Sequence, residues 1–157
     1  MTEDINQVNL LTRREIEARM AGPLVGQFCE AIGTEKALAE VDKVVQRLAW
    51  EAGAQLAQAL GGNSMEHFHQ APDMWKQGGA LEIELEEKDS SKLVFKVTRC
   101  RYAEMYRELG YEELGQVLSC GRDGAFAQGF NPGIRMIRTQ TIMSGAPYCD
   151  FKFEMGG

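Results

Sequence analysis

The stretch from Asn131 to Phe153, NPGIRMIRTQTIMSGAPYCDFKF, constrains the fold more than any other. Two extended runs, Ile134–Met143 and Tyr148–Phe153, flank Ser144-Gly145-Ala146-Pro147, which has the composition of a turn. The pattern predicts a β-hairpin with a four-residue loop. Pairing outward from that loop sets Ile142 opposite Cys149, Gln140 opposite Phe151 and Arg138 opposite Phe153. Opposed residues share a sheet face. One face then carries Ile134, Met136, Arg138, Gln140, Ile142, Cys149, Phe151 and Phe153. It is apolar enough to meet a core, yet Arg138, Gln140 and Cys149 stand in its middle. A buried guanidinium costs several kcal/mol unless it meets an anion. Arg138 therefore implies either a protein carboxylate or an anionic ligand beside it.

The preceding chain supplies layers for that hairpin. Residues 1–11 read as loosely attached. Thr12 fits a helix N-cap with Glu15 completing a capping box. Ile16, Met20, Leu24 and Phe28 follow at helical spacing, with Pro23 set to kink or restart the helix. Thr34 caps a second, long helix over Glu35–Leu60, whose apolar residues Leu38, Val41, Val45, Leu48, Ala52 and Leu56 recur with a period near 3.6. Gly61-Gly62-Asn63 ends it. Ser64–Gly79 reads as a short helix before Pro72 and then an irregular loop. Ala80–Glu87 alternates Leu81, Ile83 and Leu85 with glutamates, turns at Lys88–Ser91 and returns as a strand over Leu93–Arg99. Tyr102–Ser119 is helical and interrupted by Gly110, and Gly121, Gly124 and Ala125 are small enough to permit close approach.

The expected fold is α+β: a four-stranded antiparallel sheet of two hairpins with helices over one face. The chain reads as one domain over 1–157, with a helical part over 12–62 and a hairpin–helix–hairpin part over 80–154. A net charge of −6 argues against a general nucleic-acid or membrane-surface binder. No apolar run approaches the roughly twenty residues of a membrane span, and the polar N-terminus is not a signal peptide. A cytoplasmic protein follows as the expectation. Apolar positions left exposed on the long helix would suit a homodimer.

Four cysteines, Cys29, Cys100, Cys120 and Cys149, lie far apart without a CxxC pair, and are expected to be reduced. Cys100 sits where a strand gives way to a helix, whose amides favour a thiolate. Cys120 precedes Asp123 by three residues, and Cys149 faces inward beside Arg138 and Gln140. Each also fits the bland role of a small buried apolar residue. Glu104 and Asp123 are the carboxylates nearest these thiols, and Asp123 also suits an internal pair with Arg122 or Arg138. Asp150 should point to solvent. Tyr102 is a candidate pocket wall and Asn131 a turn residue within reach of a ligand. No cofactor or resident metal is expected; the alternative is a metal held by the three cysteines or by His67 and His69.

Arg99-Cys-Arg-Tyr-Ala-Glu-Met-Tyr-Arg-Glu-Leu-Gly, Leu118-Ser-Cys, Arg122-Asp123, Gly129-Phe-Asn-Pro, Arg138-Thr-Gln-Thr-Ile-Met and Cys149-Asp-Phe together resemble the L-2-amino-thiazoline-4-carboxylic acid hydrolase family. Arg13-Arg-Glu-Ile-Glu-Ala and Gly79-Ala-Leu-Glu extend the resemblance over nearly the whole chain. It implies a hydrolase that opens a 2-aminothiazoline ring to a carbamoyl-cysteine, in an α+β fold whose ligand pocket lies between sheet and helices, with the family's motif cysteines at Cys100, Cys120 and Cys149. The chemistry then suggests Arg138 and Gln140 as contacts to the substrate carboxylate and ring nitrogen, with Cys149, Tyr102 and Asn131 completing the binding wall. Cys100 or Cys120 would be the nucleophile and Glu104 or Asp123 the base. The competing expectations are a sensing domain that binds a small carboxylate without turnover and a metal-dependent hydrolase.

Overall fold

The computed structural model describes residues 4–156. Helix α1 spans Leu10–Ile32, and its cap, Asn9, lies three residues before the expected one: Asn9 Oδ1 accepts from the Thr12 amide at 2.9 Å. Glu15 is not part of a capping box but pairs with Arg19. The helix runs through Pro23 to Gly33. Its buried face is Ala18, Gly22 and Val25, while Ile16, Met20, Leu24 and Phe28 are at least half exposed. The expected apolar stripe is thus the outer one. Small residues win the inner face because neighbours come very close: a Cβ on Gly22 would stand 2.3 Å from the Tyr111 ring.

Helix α2 covers Thr34–Leu60, with Gly33 rather than Thr34 at its N-cap. It ends at Gly61 in the left-handed conformation expected of glycine there. Ala37, Val45, Ala49 and Gly53 are buried. Short helices α3 (Met65–Phe68) and α4 (Ala71–Trp75) fold the connection back over the sheet, with Pro72 in the first turn of α4. Strands β1 (Leu81–Lys88) and β2 (Lys92–Cys100) form the first hairpin; Leu85 pairs with the buried Phe95 yet is exposed itself, and the register shifts between Leu85 and Glu87. Helices α5 (Arg101–Glu108) and α6 (Glu112–Leu118) are separated at Gly110, whose φ is +73°. A 3-10 turn, Cys120–Arg122, leads into α7 (Asp123–Phe130).

Strands β3 (Ile134–Ile137) and β4 (Cys149–Met155) complete an antiparallel sheet in the order β1-β2-β4-β3. The four-stranded α+β architecture therefore matches the expectation. The second hairpin does not match in detail. Its loop runs from 138 to 148, and Met136, not Arg138, faces Phe153. Asp150 explains the early end of β3. Its carboxylate accepts from the Thr139 and Gln140 amides at 2.9 Å each and from the Thr139 hydroxyl, drawing the chain off the ladder. Asp150 is thus a half-buried cap rather than a solvated side chain, and those bonds hold its carboxyl below the usual range although burial opposes them. The register moves by two residues, and an even shift preserves the inward face.

That face packs Phe95, Phe151 and Phe153 in a stack, with Phe68 edge-on to Phe153 at 4.9 Å and to Phe130 at 5.2 Å. Helix α7 crosses α2 at very short range: a Cβ on Gly53 would stand 2.0 Å from Phe126 O, and one on Gly129 1.9 Å from Trp50 O. The close approach therefore lies at Gly53 and Gly129, not in the stripe of Gly121, Gly124 and Ala125.

Candidate functional site

At the other end of the same sheet face the packing opens into a cavity of about 680 Å³. Its sheet wall is Leu81, Val97, Cys149 and Phe151; α2 contributes Ala52 and Leu56, α4 Met74 and Trp75, and α7 Asp123 and Phe126. Helix α1 brings Arg13, Arg14 and Glu17, and the turn before α7 brings Cys120 and Arg122. Cys100 and Tyr102 close the side where β2 becomes α5.

All three candidate cysteines line this one cavity. Cys100 caps α5, its sulfur accepting from the Ala103 amide at 3.4 Å. That contact favours a thiolate, yet burial is the larger influence and pushes the thiol up to about 11. Burial also raises Cys120, with Asp123 adding to the rise, and raises Cys149 despite its bond from the Ile142 amide at 3.2 Å. Burial thus favours the neutral thiol at all three positions.

Arg138 is committed. It donates to Asp123 Oδ2 at 2.6 Å and to Cys120 O at 2.8 Å, and lies over the Phe151 ring at 5.0 Å. The protein itself supplies the anion its position demands. Burial pushes the Asp123 carboxyl above its ordinary range, against the pull of Arg138 and Arg122. Arg14 is likewise spent, on Glu17 at 2.7 and 2.8 Å. Arg13 and Arg122 are not. Among the described residues neither forms an ion pair; Arg13 Nε is buried without a partner, and Arg122 makes one long bond, 3.4 Å, to Leu118 O. Burial lowers the Arg122 pKa, with the nearby Arg14 charge adding to the fall. Two guanidiniums with unused donors line the cavity, together with the carboxylates Glu17, Glu51 and Asp123, and unused guanidinium donors suit an anion.

The remaining candidates lie elsewhere or serve other ends. Tyr102 lines the cavity, and its hydroxyl donates to Trp75 O at 2.9 Å; burial raises its pKa. Gln140 binds Tyr148 O and lines a smaller, separate cavity of about 280 Å³ on the outer side of Cys120 and Arg138. Glu104 is bound to Arg99 at 2.9 Å on the outer side of α5, away from the cavity, and Arg99 holds its carboxyl below the ordinary range. Asn131 shapes the turn before β3, donating to Asn63 O and accepting from the Gly133 amide, both at 2.8 Å. His67 bonds Ser64 Oγ and His69 bonds Lys92 O, so the two rings serve different partners. Among the described residues no three of His, Cys, Asp and Glu are grouped as metal ligands. Arg13 and Arg122 were legible only as members of the Arg13-Arg and Arg122-Asp motifs; 109 positions separate them, and folding alone brings them to one cavity.

One family model, described as L-2-amino-thiazoline-4-carboxylic acid hydrolase, matches residues 13–153. No curated protein matches the chain significantly. Among solved structures, the phenol-responsive sensory domain of the transcription activator PoxR, determined with phenol, aligns with a TM-score of 0.58 at 14% identity, covering 87% of this chain and 73% of that one. Subunit 3 of a trafficking protein particle complex from Naegleria fowleri, covalently bound to palmitic acid, aligns with a TM-score of 0.54 at 10% identity, covering 93% and 96%. At such identities both likenesses concern the fold alone. No helix among the described residues is long and apolar enough to cross a membrane.

Proposed function

The chain belongs to the L-2-amino-thiazoline-4-carboxylic acid hydrolase family, and we propose that it hydrolyses a ring of that type within the large cavity. The observation that carries this reading is the meeting of three thiols, the Asp123–Arg138 pair and two uncommitted guanidiniums around one space. Arg13 and Arg122 hold the substrate carboxylate; Arg138 instead fixes Asp123. The ring then lies toward Phe151 and the thiols.

Hydrolysis adds water across the amidine-like ring carbon. Its oxygen becomes the carbonyl, and either the ring C–S or the ring C–N bond breaks, giving N- or S-carbamoyl-cysteine. Asp123 is the carboxylate suited to accept the proton, because burial raises its affinity for one. Cys100 and Cys120 are the candidate nucleophiles, and Asp123 is among the charges that raise both thiols. A thiol near 11 is neutral at pH 7, so thiol attack requires Asp123 or the substrate to take its proton in the same step. We propose that the protein acts in the cytoplasm.

The test is incubation of purified protein with L-2-amino-thiazoline-4-carboxylate, with and without chelator. Substrate loss and carbamoyl-cysteine are followed by mass spectrometry. Turnover that survives chelation, and is lost on replacing Cys100 or Cys120 by serine and alanine, supports the thiol route. Turnover retained in all cysteine variants but lost in Asp123→Asn supports water attack. A second reading, a sensing domain without turnover, draws on the likeness to the PoxR sensory domain and on the three neutral thiols. It requires ligand to raise the melting temperature while no product forms.

A further inference from the structure

The cavity is much larger than the ring it is proposed to open. About 680 Å³ falls within the range of roughly 300–1,000 Å³ that takes drug-sized ligands. The parent heterocycle has nine non-hydrogen atoms and would leave most of that space unfilled. The walls also differ. Arg13 and Arg14 from α1 and Arg122 from the 120–122 turn line one part of the cavity, with Arg14 paired to Glu17, whereas Leu56, Trp75, Phe126 and Phe151 present apolar surface from α2, α4, α7 and the sheet. Trp75 stands edge-on to Phe126 at 5.6 Å and tilted to Phe151 at 6.5 Å, so the aromatic wall is continuous. A site with a cationic end and an aromatic end selects a ligand with the same two ends.

We propose that the substrate for which this site is built is a carboxylated cyclic amidine bearing an aromatic or branched apolar substituent. Its carboxylate meets Arg13 and Arg122, and its substituent lies against Trp75, Phe126 and Phe151. This rests on the hydrolase reading for the ring class, but not for the apolar half of the ligand.

The test compares three probes by calorimetric titration of the purified protein: 2-amino-thiazoline-4-carboxylate, its 5-phenyl derivative, and 2-amino-5-phenylthiazoline without the carboxylate. The 5-phenyl carboxylate should bind at least about tenfold tighter than the parent, since a buried phenyl contributes in proportion to its area, and about tenfold tighter than the probe lacking the anion. Leu56→Trp, checked for a native melting transition, should cost the 5-phenyl carboxylate more affinity than the parent. Equal binding of the parent and its phenyl derivative would overturn the proposal. If the parent is hydrolysed but the derivative does not bind, this inference fails and the hydrolase reading stands. If the derivative binds tightly and neither compound is hydrolysed, the hydrolase reading fails and the assignment of the apolar end stands.

Discussion

The two ends of the inner sheet face come from the same strands yet are finished differently. Around Phe153 every contact is made: Phe68, Phe95, Phe130 and Phe153 are all but fully buried. Around Cys149, two residue pairs along β4, the face opens into a cavity with neutral thiols and a buried guanidinium nitrogen without a partner. The first end is saturated and the second is not. Buried polar groups left unmatched cost stability, so the open end carries a cost that the closed end does not.

Substitution sharpens that contrast, and the largest effect belongs to the closed end. Phe153→Ala should destabilise the protein by about 3–5 kcal/mol in urea denaturation, as for other buried phenylalanines. Cys149→Ala should cost about 1 kcal/mol, the share of one small buried group. Comparable losses at the two positions would break the comparison.

Next comes the Asp123–Arg138 pair. Asp123→Ala strands Arg138, which is only 12% exposed, and should cost about 3 kcal/mol. Asp123→Leu combined with Arg138→Met should restore most of that stability while abolishing turnover. A double variant as unstable as the single one would show that the pair is not the unit.

Arg13 and Arg122 give the reverse pattern. Arg13→Met should leave the melting temperature unchanged or slightly raised, because an unmatched buried nitrogen is removed. It should weaken carboxylate binding by roughly tenfold or more, the worth of a charge-assisted bond. A large loss of stability would place Arg13 in the framework instead.

The thiols provide a pH test. Cys100 is raised from about 9 to about 11, so the folded protein keeps the neutral thiol longer than the unfolded chain does. Its contribution to stability is complete below pH 9 and is lost as pH rises from 9 toward 11. Alkylation of Cys100, read site by site by mass spectrometry, should rise about tenfold per pH unit between 7 and 9 without levelling. A plateau near pH 8 would mean an activated thiolate. The smallest effect is expected at Glu104→Gln, which removes an exposed pair with Arg99: under about 1 kcal/mol and no change in ring opening.

Much of the closed end could be read from sequence. The alternation in β4 survived a mistaken loop because the error was two residues, and only an odd slip exchanges faces. Gly61 ended α2 as its backbone freedom allows. The inner face of α1 could not be read, because hydrophobicity favours Ile16, Met20, Leu24 and Phe28 whereas close helix approach requires Ala18 and Gly22. The cysteines Cys100, Cys120 and Cys149 were legible as motif residues, and their convergence was visible only in the fold. Arg138 was legible as a buried charge, but its anion is Asp123 rather than a ligand. Glu104 and Asn131 drew attention through proximity in sequence, and both are spent on local contacts.

The most direct test of the account is ring opening by the wild-type protein and by the Arg13→Met/Arg122→Met variant, followed by mass spectrometry across substrate concentrations. The account predicts that the wild type forms carbamoyl-cysteine and that the variant, folded and equally stable, loses at least about a hundredfold in kcat/KM, mostly through KM. Absence of product from the wild type, or an unchanged KM in the variant, would contradict it.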